Sequence, residues 1–388
     1  MLNHPIHYTR QWIEPDDIEA VTKTLESPFL TTGPAVARLE QELADLTGAA
    51  HAVVCANGTA ALHLACMAAG MGNGDLGITS PLSFLASANC MEYCGAQADF
   101  LDIDPSTLCL SPGALEAHCR DKEPPKVVIP VDFAGTPADL PAFHKLAQKY
   151  GFLLIEDAAH SIGSSYTYNR EVFSCGSCAH TDMAVFSFHP AKTVTAGEGG
   201  AILTRDAALA GRLRRFRNHG MIPNDDIEGG SDGPWFYEME ETGYNYRITD
   251  LQCALLSSQL KKLNRFAVRR REIVKRYQAA FRDVSDIILP PDVLGEDACP
   301  HLFPIQLVQG EAQRKAVYLR LKKDNIHCQI HYIPIHLQPY YRNRYHYKEG
   351  RCPQAELYYS RCLSIPLYPA LTDPEVDFII ERLLALLK

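Results

Sequence analysis

A chain of 388 residues, 46% hydrophobic and 21% charged, can bury a full core and is long enough for a large domain plus a smaller one, which excludes a molecule dominated by disorder. Its formal net charge of -9 excludes the basic surface that nucleic-acid binding needs, so an anionic small molecule must be gripped by locally placed donors. Thirteen cysteines, an odd number scattered through a chain too large to need stapling, point to reduced thiols.

The first residues, MLNHPIHYTRQWIEPDD, lack the apolar stretch of a signal peptide, and no later segment reaches the unbroken apolar length of a membrane span. The expectation is a cytoplasmic protein with no membrane partner. IEAVTKTLES and VARLEQELADLTG are amphipathic at helical spacing and separated by the turn-forming TTGP, so both are expected to pack onto the domain that follows. From about residue 50 to about residue 205, β-rich runs alternate with helical stretches, the pattern of a mainly parallel sheet flanked by helices. The predicted strands are HAVVCA, KVVIPVDFAG, FLLIEDAAH, MAVFSF and AILT. Predicted helices between them include TAALHLACMAAG and LPAFHKLAQKYG, the latter with glycine at its C-terminal cap. The basic run Arg212, Arg214, Arg215, Arg217 falls on a further helix and reads first as a solvated face, second as a phosphate contact. After about residue 250 the pattern changes: LQCALLSSQLKKLNRFAVRRREIVKRYQAAFRD reads as one long helix leading to a Pro-rich connection and a mixed region. The fold class is therefore α/β, with a large domain over 1–250, N-terminal helices included, and a smaller α+β C-terminal domain over 251–388.

Three places carry chemistry. HAVVCA ends in Asn57-Gly58-Thr59 and opens into a helix; a glycine at that turn lets the backbone approach an anion, and the helix start offers free N–H groups beside the Thr59 hydroxyl. On this motif alone, an ordinary turn with Thr59 as N-cap is the better reading. FLLIED delivers Glu156 and Asp157 at a strand's C-terminal end, where ligands gather in open α/β sheets; Asp157 could keep a pyridine nitrogen protonated or simply cap the next helix. His160, three residues on, reads as a satisfied polar residue or as a contact to that ring's phenolic oxygen. AVFSFHPAKTVTAGEGGA begins as a strand, breaks at Pro190, presents Lys192 and ends in a glycine-rich turn, with Ser187, His189 and Thr195 nearby. A nucleophilic lysine must be partly neutral, which a dry pocket behind a strand end can arrange. Cys175 and Cys178 form a CxxC in SCGSC, but no second ligand pair at matching spacing supports zinc, and no metal is expected.

A phosphate seat, then an aspartate at a strand end, then a lysine after a later strand resembles the fold-type I aminotransferases. The strings NGTAAL, SPLSFLASAN, VDFAGTPADL, IEDAAHSIGS, FSFHPAKTVTAGEGGA, RNHGM, GYNYRITDLQCALLSSQLKKL and IHYIPIHLQPYY narrow the likeness to the DegT/DnrJ/EryC1/StrS family of sugar-nucleotide aminotransferases, across nearly the whole chain. The resemblance implies a PLP-dependent transferase fold of type I and pyridoxal 5'-phosphate as cofactor, held on Lys192 as a Schiff base. By the same resemblance Lys192 is the catalytic proton carrier, Asp157 pairs with the pyridinium nitrogen, and Gly58, Thr59 and Ser187 hold the phosphate. Phe84 would stack on the ring, although without the family a core aromatic is the better guess. His160 stands where many relatives have Gln. Asn245 would reach the phosphate of a partner subunit, implying an obligate homodimer. Arg247, Tyr8 and His331 are candidates for the substrate pocket. The implied reaction takes an amine from L-glutamate to a nucleotide-linked keto sugar. Within the family, the pairing of SFHPAKTVTAGEGGA with IHYIPIHLQPYY resembles the enzyme of pseudaminic acid synthesis, which acts at C4 of a UDP-linked 4-keto-6-deoxy-N-acetyl-L-hexosamine, while perosamine-type and other aminosugar transaminases share most of these motifs. Rival readings are a dehydratase on the same scaffold, against which Lys192 speaks, a non-catalytic nucleotide-sugar-binding regulator, and a dinucleotide dehydrogenase, for which no G-x-G-x-x-G is in place.

Overall fold

Alternating apolar residues in the central strands divide the core in two. The computed structural model describes residues 4–223, 233–291 and 298–387. Its main sheet has seven strands in the order His51–Cys55, Gly200–Thr204, Met183–Ser187, Leu153–Asp157, Val127–Ile129, Leu76–Thr79, Gln97–Phe100. Every pairing from Met183–Ser187 to Gln97–Phe100 is parallel, and Gly200–Thr204 runs antiparallel to both its neighbours. Because successive side chains of a strand point to opposite faces, Val53, Met183, Val185 and Ile202 join one core cluster while Val54, Ala184, Phe186 and Leu203 join another. The mainly parallel sheet flanked by helices is the α/β architecture anticipated above.

All five predicted strands form, although KVVIPVDFAG contributes only Val127–Ile129. Two more, Leu76–Thr79 inside the sheet and Gln97–Phe100 at its edge, were not anticipated: at four residues each, they are too short to show a clear alternation. Helices Pro15–Leu25 and Pro34–Thr47 form as anticipated; the second buries Leu39 and Leu43 against the sheet. Helix Leu140–Tyr150 ends at Gly151, whose φ of 80° is the left-handed cap that glycine supplies.

The long helix expected from residue 251 is instead two, Asp250–Leu260 and Leu263–Phe281. No glycine or proline marks the break. The Lys262 ammonium, itself buried, is drawn to the buried Asp17 and the exposed Asp16, both 2.7 Å away, and that tertiary pull accompanies the interruption. Beyond it, Ile287–Ile288, Phe303–Leu307 and Cys362–Ile365 form a small antiparallel sheet over its own core, closed by the helix Asp373–Leu386. Among the described residues, no helix is long and apolar enough to cross a membrane.

Candidate active site

The strands Leu153–Asp157 and Met183–Ser187 end side by side, and beside them the turn Asn57–Gly58 starts a helix; these ends, together with the segment around His331, enclose a cavity of about 880 Å³. Gly58, Thr59, Phe84, Asp157, His160, Ser187, Lys192, Tyr8 and His331 all line it. Asn245 and Arg247 do not.

The helix Gly58–Ala68 is capped by Asn57, whose Oδ1 accepts from the N–H of Ala60 at 2.8 Å, so the cap is Asn57 and not Thr59. Among the described residues, the N–H groups of Gly58 and Thr59 have no hydrogen-bond partner, and they open at the positive end of the helix. A Cβ on Gly58 would sit 2.8 Å from the Ser187 Cβ, and one on Gly200 would sit 2.3 Å from the Asn57 carbonyl oxygen. Only glycine at both places lets strand end and helix start close around a small anion. Two free N–H groups with the hydroxyls of Thr59 and Ser187 make a phosphate-sized cradle.

Asp157 is 3% exposed. Ser87 Oγ donates to its Oδ2 at 2.6 Å and the N–H of Ala159 to its Oδ1 at 3.2 Å. Burial pushes the carboxyl above the usual range, while the Ser87 and Ala159 bonds and the Lys192 charge pull it back. The Lys192 amine is partly buried, and desolvation brings it down to about 8 against the opposing attraction of Asp157. Near-neutral pH therefore leaves a usable fraction of free amine, the condition for attack on a carbonyl carbon.

His160 accepts the N–H of Ala134 on Nδ1 at 3.3 Å, which fixes its proton on Nε2, 3.2 Å from the Tyr332 hydroxyl. Burial holds it neutral, well below the usual imidazole range. It therefore offers the cavity wall an N–H donor, the function that a glutamine amide serves. His331 Nδ1 lies 2.9 Å from Ser364 Oγ, its ring packs 5.4 Å from that of Tyr8, and burial lowers its pKa to about 3. Phe84 is 57% exposed, so it is not the core aromatic its composition suggested; its ring stands at the cavity wall 6.4 Å from Tyr332.

Tyr246 lines the cavity, and its neighbours Asn245 and Arg247 turn away from it, as alternation along an extended segment requires. Asn245 is exposed and bridged through its backbone to Asn218; Arg247 donates to Asn218 Oδ1 at 2.7 Å and borders a separate cavity of about 940 Å³. Arg212 and Arg217, read as a solvated face, instead bond the carbonyls of Ala68 and Val54 at 2.6 Å and 2.7 Å, with Arg217 also on Glu40. Cys175 and Cys178 are buried free thiols.

Sequence reasoning overlooked Ser87, Tyr332 and His301. The first two lie inside quoted strings, SPLSFLASAN and IHYIPIH, so a signal existed for them. Nothing in the CPHLFPIQ context singles out His301, whose ring centroid lies 4.5 Å from that of His160.

The sequence pattern of the DegT/DnrJ/EryC1/StrS aminotransferase family matches residues 11–384. The spore coat polysaccharide biosynthesis protein SpsC of Bacillus subtilis (strain 168) is 40% identical over 391 aligned positions, covering 100% of this chain and 98% of the relative. PseC of Helicobacter pylori, an aminotransferase of pseudaminic acid biosynthesis, superposes with a TM-score of 0.90 at 28% identity, covering 99% of each chain. The PLP form of the putative sugar aminotransferase Spr1654 from Streptococcus pneumoniae superposes with a TM-score of 0.89 at 26% identity, again covering 99% of each chain.

Proposed function

The chain belongs to the DegT/DnrJ/EryC1/StrS aminotransferase family and is a pyridoxal-phosphate-dependent sugar aminotransferase, and from that premise we propose that it moves the amino group of L-glutamate to C4 of a UDP-linked 4-keto-6-deoxy sugar. The substrate we assign is UDP-2-acetamido-2,6-dideoxy-β-L-arabino-hex-4-ulose, the keto sugar of pseudaminic acid biosynthesis. The observation that carries this choice is the likeness to PseC over 99% of both chains.

The residues present fit the cofactor. Gly58, Thr59 and Ser187 offer N–H and hydroxyl donors for its phosphate, Asp157 a carboxylate for its ring nitrogen, Phe84 a face for its ring, and Lys192 an amine for its aldehyde. When bound, pyridoxal phosphate supplies the reactive aldehyde and a ring that delocalises the electron pair left as a proton departs the substrate carbon. The protein does the rest. Lys192, with its pKa near 8, anchors in its neutral form and, once released, takes and returns the proton at the substrate carbon. The Ser87 and Ala159 donors and the Lys192 charge favour the ionised form of Asp157, which would pair with the ring nitrogen. His160, with Nδ1 taken by the Ala134 N–H and Nε2 beside the Tyr332 hydroxyl, would hold the wall next to the ring's edge. Tyr8 and His331, 5.4 Å apart, form the wall we assign to the sugar.

Asn245 and Arg247 face away from their own chain's cavity, which supports a homodimer in which each completes the partner's site. We read residues 1–250 as the cofactor-binding part and 251–388 as the smaller part, and place the enzyme in the cytoplasm. Incubating the purified protein with glutamate and a panel of nucleotide-linked 3-keto and 4-keto sugars tests the assignment: 2-oxoglutarate and a C4-aminated UDP sugar are expected by mass and NMR. Amination of a 3-keto sugar alone would contradict it.

A further inference from the structure

The hydroxyl of Ser87 has a single proton, and its oxygen stands between two others. Asp157 Oδ2 lies 2.6 Å on one side and Ser83 Oγ 2.6 Å on the other. A carboxylate only accepts, so the Ser87 proton points to Asp157, and the Ser83 proton then points to Ser87. All three side chains are buried, Ser87 at 1% exposure. Ser87 sits in the first turn of the helix Ala86–Tyr93, so its direction is set by the fold and not by a mobile loop. A carboxylate in so dry a place favours its neutral form unless donors oppose that tendency. Among the described residues, only the Ala159 N–H, at a longer 3.2 Å, donates to the other oxygen.

Resting on the reading of Asp157 given above, we infer that Ser87 is a positioning residue that orients the Asp157 carboxylate and keeps it ionised, with Ser83 holding the Ser87 proton in the productive direction. Short bonds between buried oxygens, one of them charged, are among the stronger hydrogen bonds a protein makes. Removing the donor leaves Asp157 with one bond in a site where Lys192 and Tyr332 line the same cavity and the buried Asp132–Glu156 pair lies within reach of its charge. Of these, Lys192 favours the carboxylate, while burial, and with it the charge of Asp157, raises Tyr332, Asp132 and Glu156.

The test compares Ser87→Ala, Ser87→Thr and Asp157→Asn in the full-length protein. Infrared titration of the Asp157 carboxyl, identified by its loss in Asp157→Asn, is made on the cofactor-free protein, and calorimetry gives its affinity for pyridoxal phosphate. Ser87→Ala is expected to move the carboxyl titration to higher pH and to raise the cofactor dissociation constant roughly tenfold. Ser87→Thr, which keeps the hydroxyl, is expected to restore both. A Ser87→Ala titration that overlays the parent's overturns the role of Ser87. Parent-like cofactor affinity in Asp157→Asn overturns the pyridine reading of Asp157 itself, whatever Ser87→Ala does to the carboxyl.

Discussion

On the sheet side of the cavity, Asp157 and Ser187 end adjacent parallel strands, and Lys192 follows five residues after Ser187; the pairing of Asp157 with Val185 brings both strand ends to the cavity that all three line. On the segment between the helices Ala207–Arg217 and Asp250–Leu260, residues of equal chemical promise diverge: Asn245 and Arg247 lie away from their own cavity while Tyr246 between them borders it. The first region gathers the proposed cofactor-holding groups of one chain along one wall. The second is polar and directed outward, the arrangement expected of a surface that completes another subunit's site. On the proposed reading, function divides between what register fixes within a chain and what a partner subunit would supply.

The largest effect should come from the first region. Lys192→Ala removes both anchor and proton carrier, so turnover should fall about a thousandfold or more, followed by release of 2-oxoglutarate from glutamate. Next comes the acidity of the same amine. With its pKa lowered to about 8, it is mostly protonated below that pH and mostly neutral above. Cofactor capture by the cofactor-free protein, followed by stopped-flow absorbance, should rise about tenfold per pH unit up to about 8 and then level off. A rise continuing to pH 10 would place this amine in water.

The outward segment should show a smaller effect with a distinctive pattern. Asn245→Ala should weaken cofactor retention roughly tenfold, as expected for one hydrogen bond to a charged group. Mixing it with Lys192→Ala sharpens the comparison between the regions. If Asn245 serves the partner, the mixed dimer contains one site with both native residues, and activity returns; if it serves its own chain, each site has one defect and activity stays low. Smallest is His160→Gln, which exchanges one N–H donor for another. Turnover should change only a few-fold, and because burial keeps His160 neutral, the pH profile from 6 to 9 should not move.

The same division explains what was legible in the sequence. Gly58, Asp157 and Ser187 lie at strand ends or a helix start and Lys192 in the turn five residues past one of them, where a short string carries both the local structure and the chemistry, so reading the string located them. Their meeting point depends on strand order, which no string encodes. Ser87 was visible within SPLSFLASAN, yet its bond to Asp157 spans 70 residues and exists only once the helix Ala86–Tyr93 docks on the sheet. The interruption near Lys262 escaped notice for a similar reason: its carboxylate partners lie some 246 residues earlier. Edge strands such as Gln97–Phe100 have too little apolar alternation to announce themselves.

The central claim is that one amine, Lys192, closes on the cofactor within a floor that Asp157 and the Gly58 turn complete. Borohydride reduction of the holoenzyme followed by peptide mass spectrometry tests it most directly. The account predicts a pyridoxyl adduct on the peptide carrying Lys192 and no adduct in Lys192→Ala; an adduct on any other lysine, or its persistence in that variant, would contradict it.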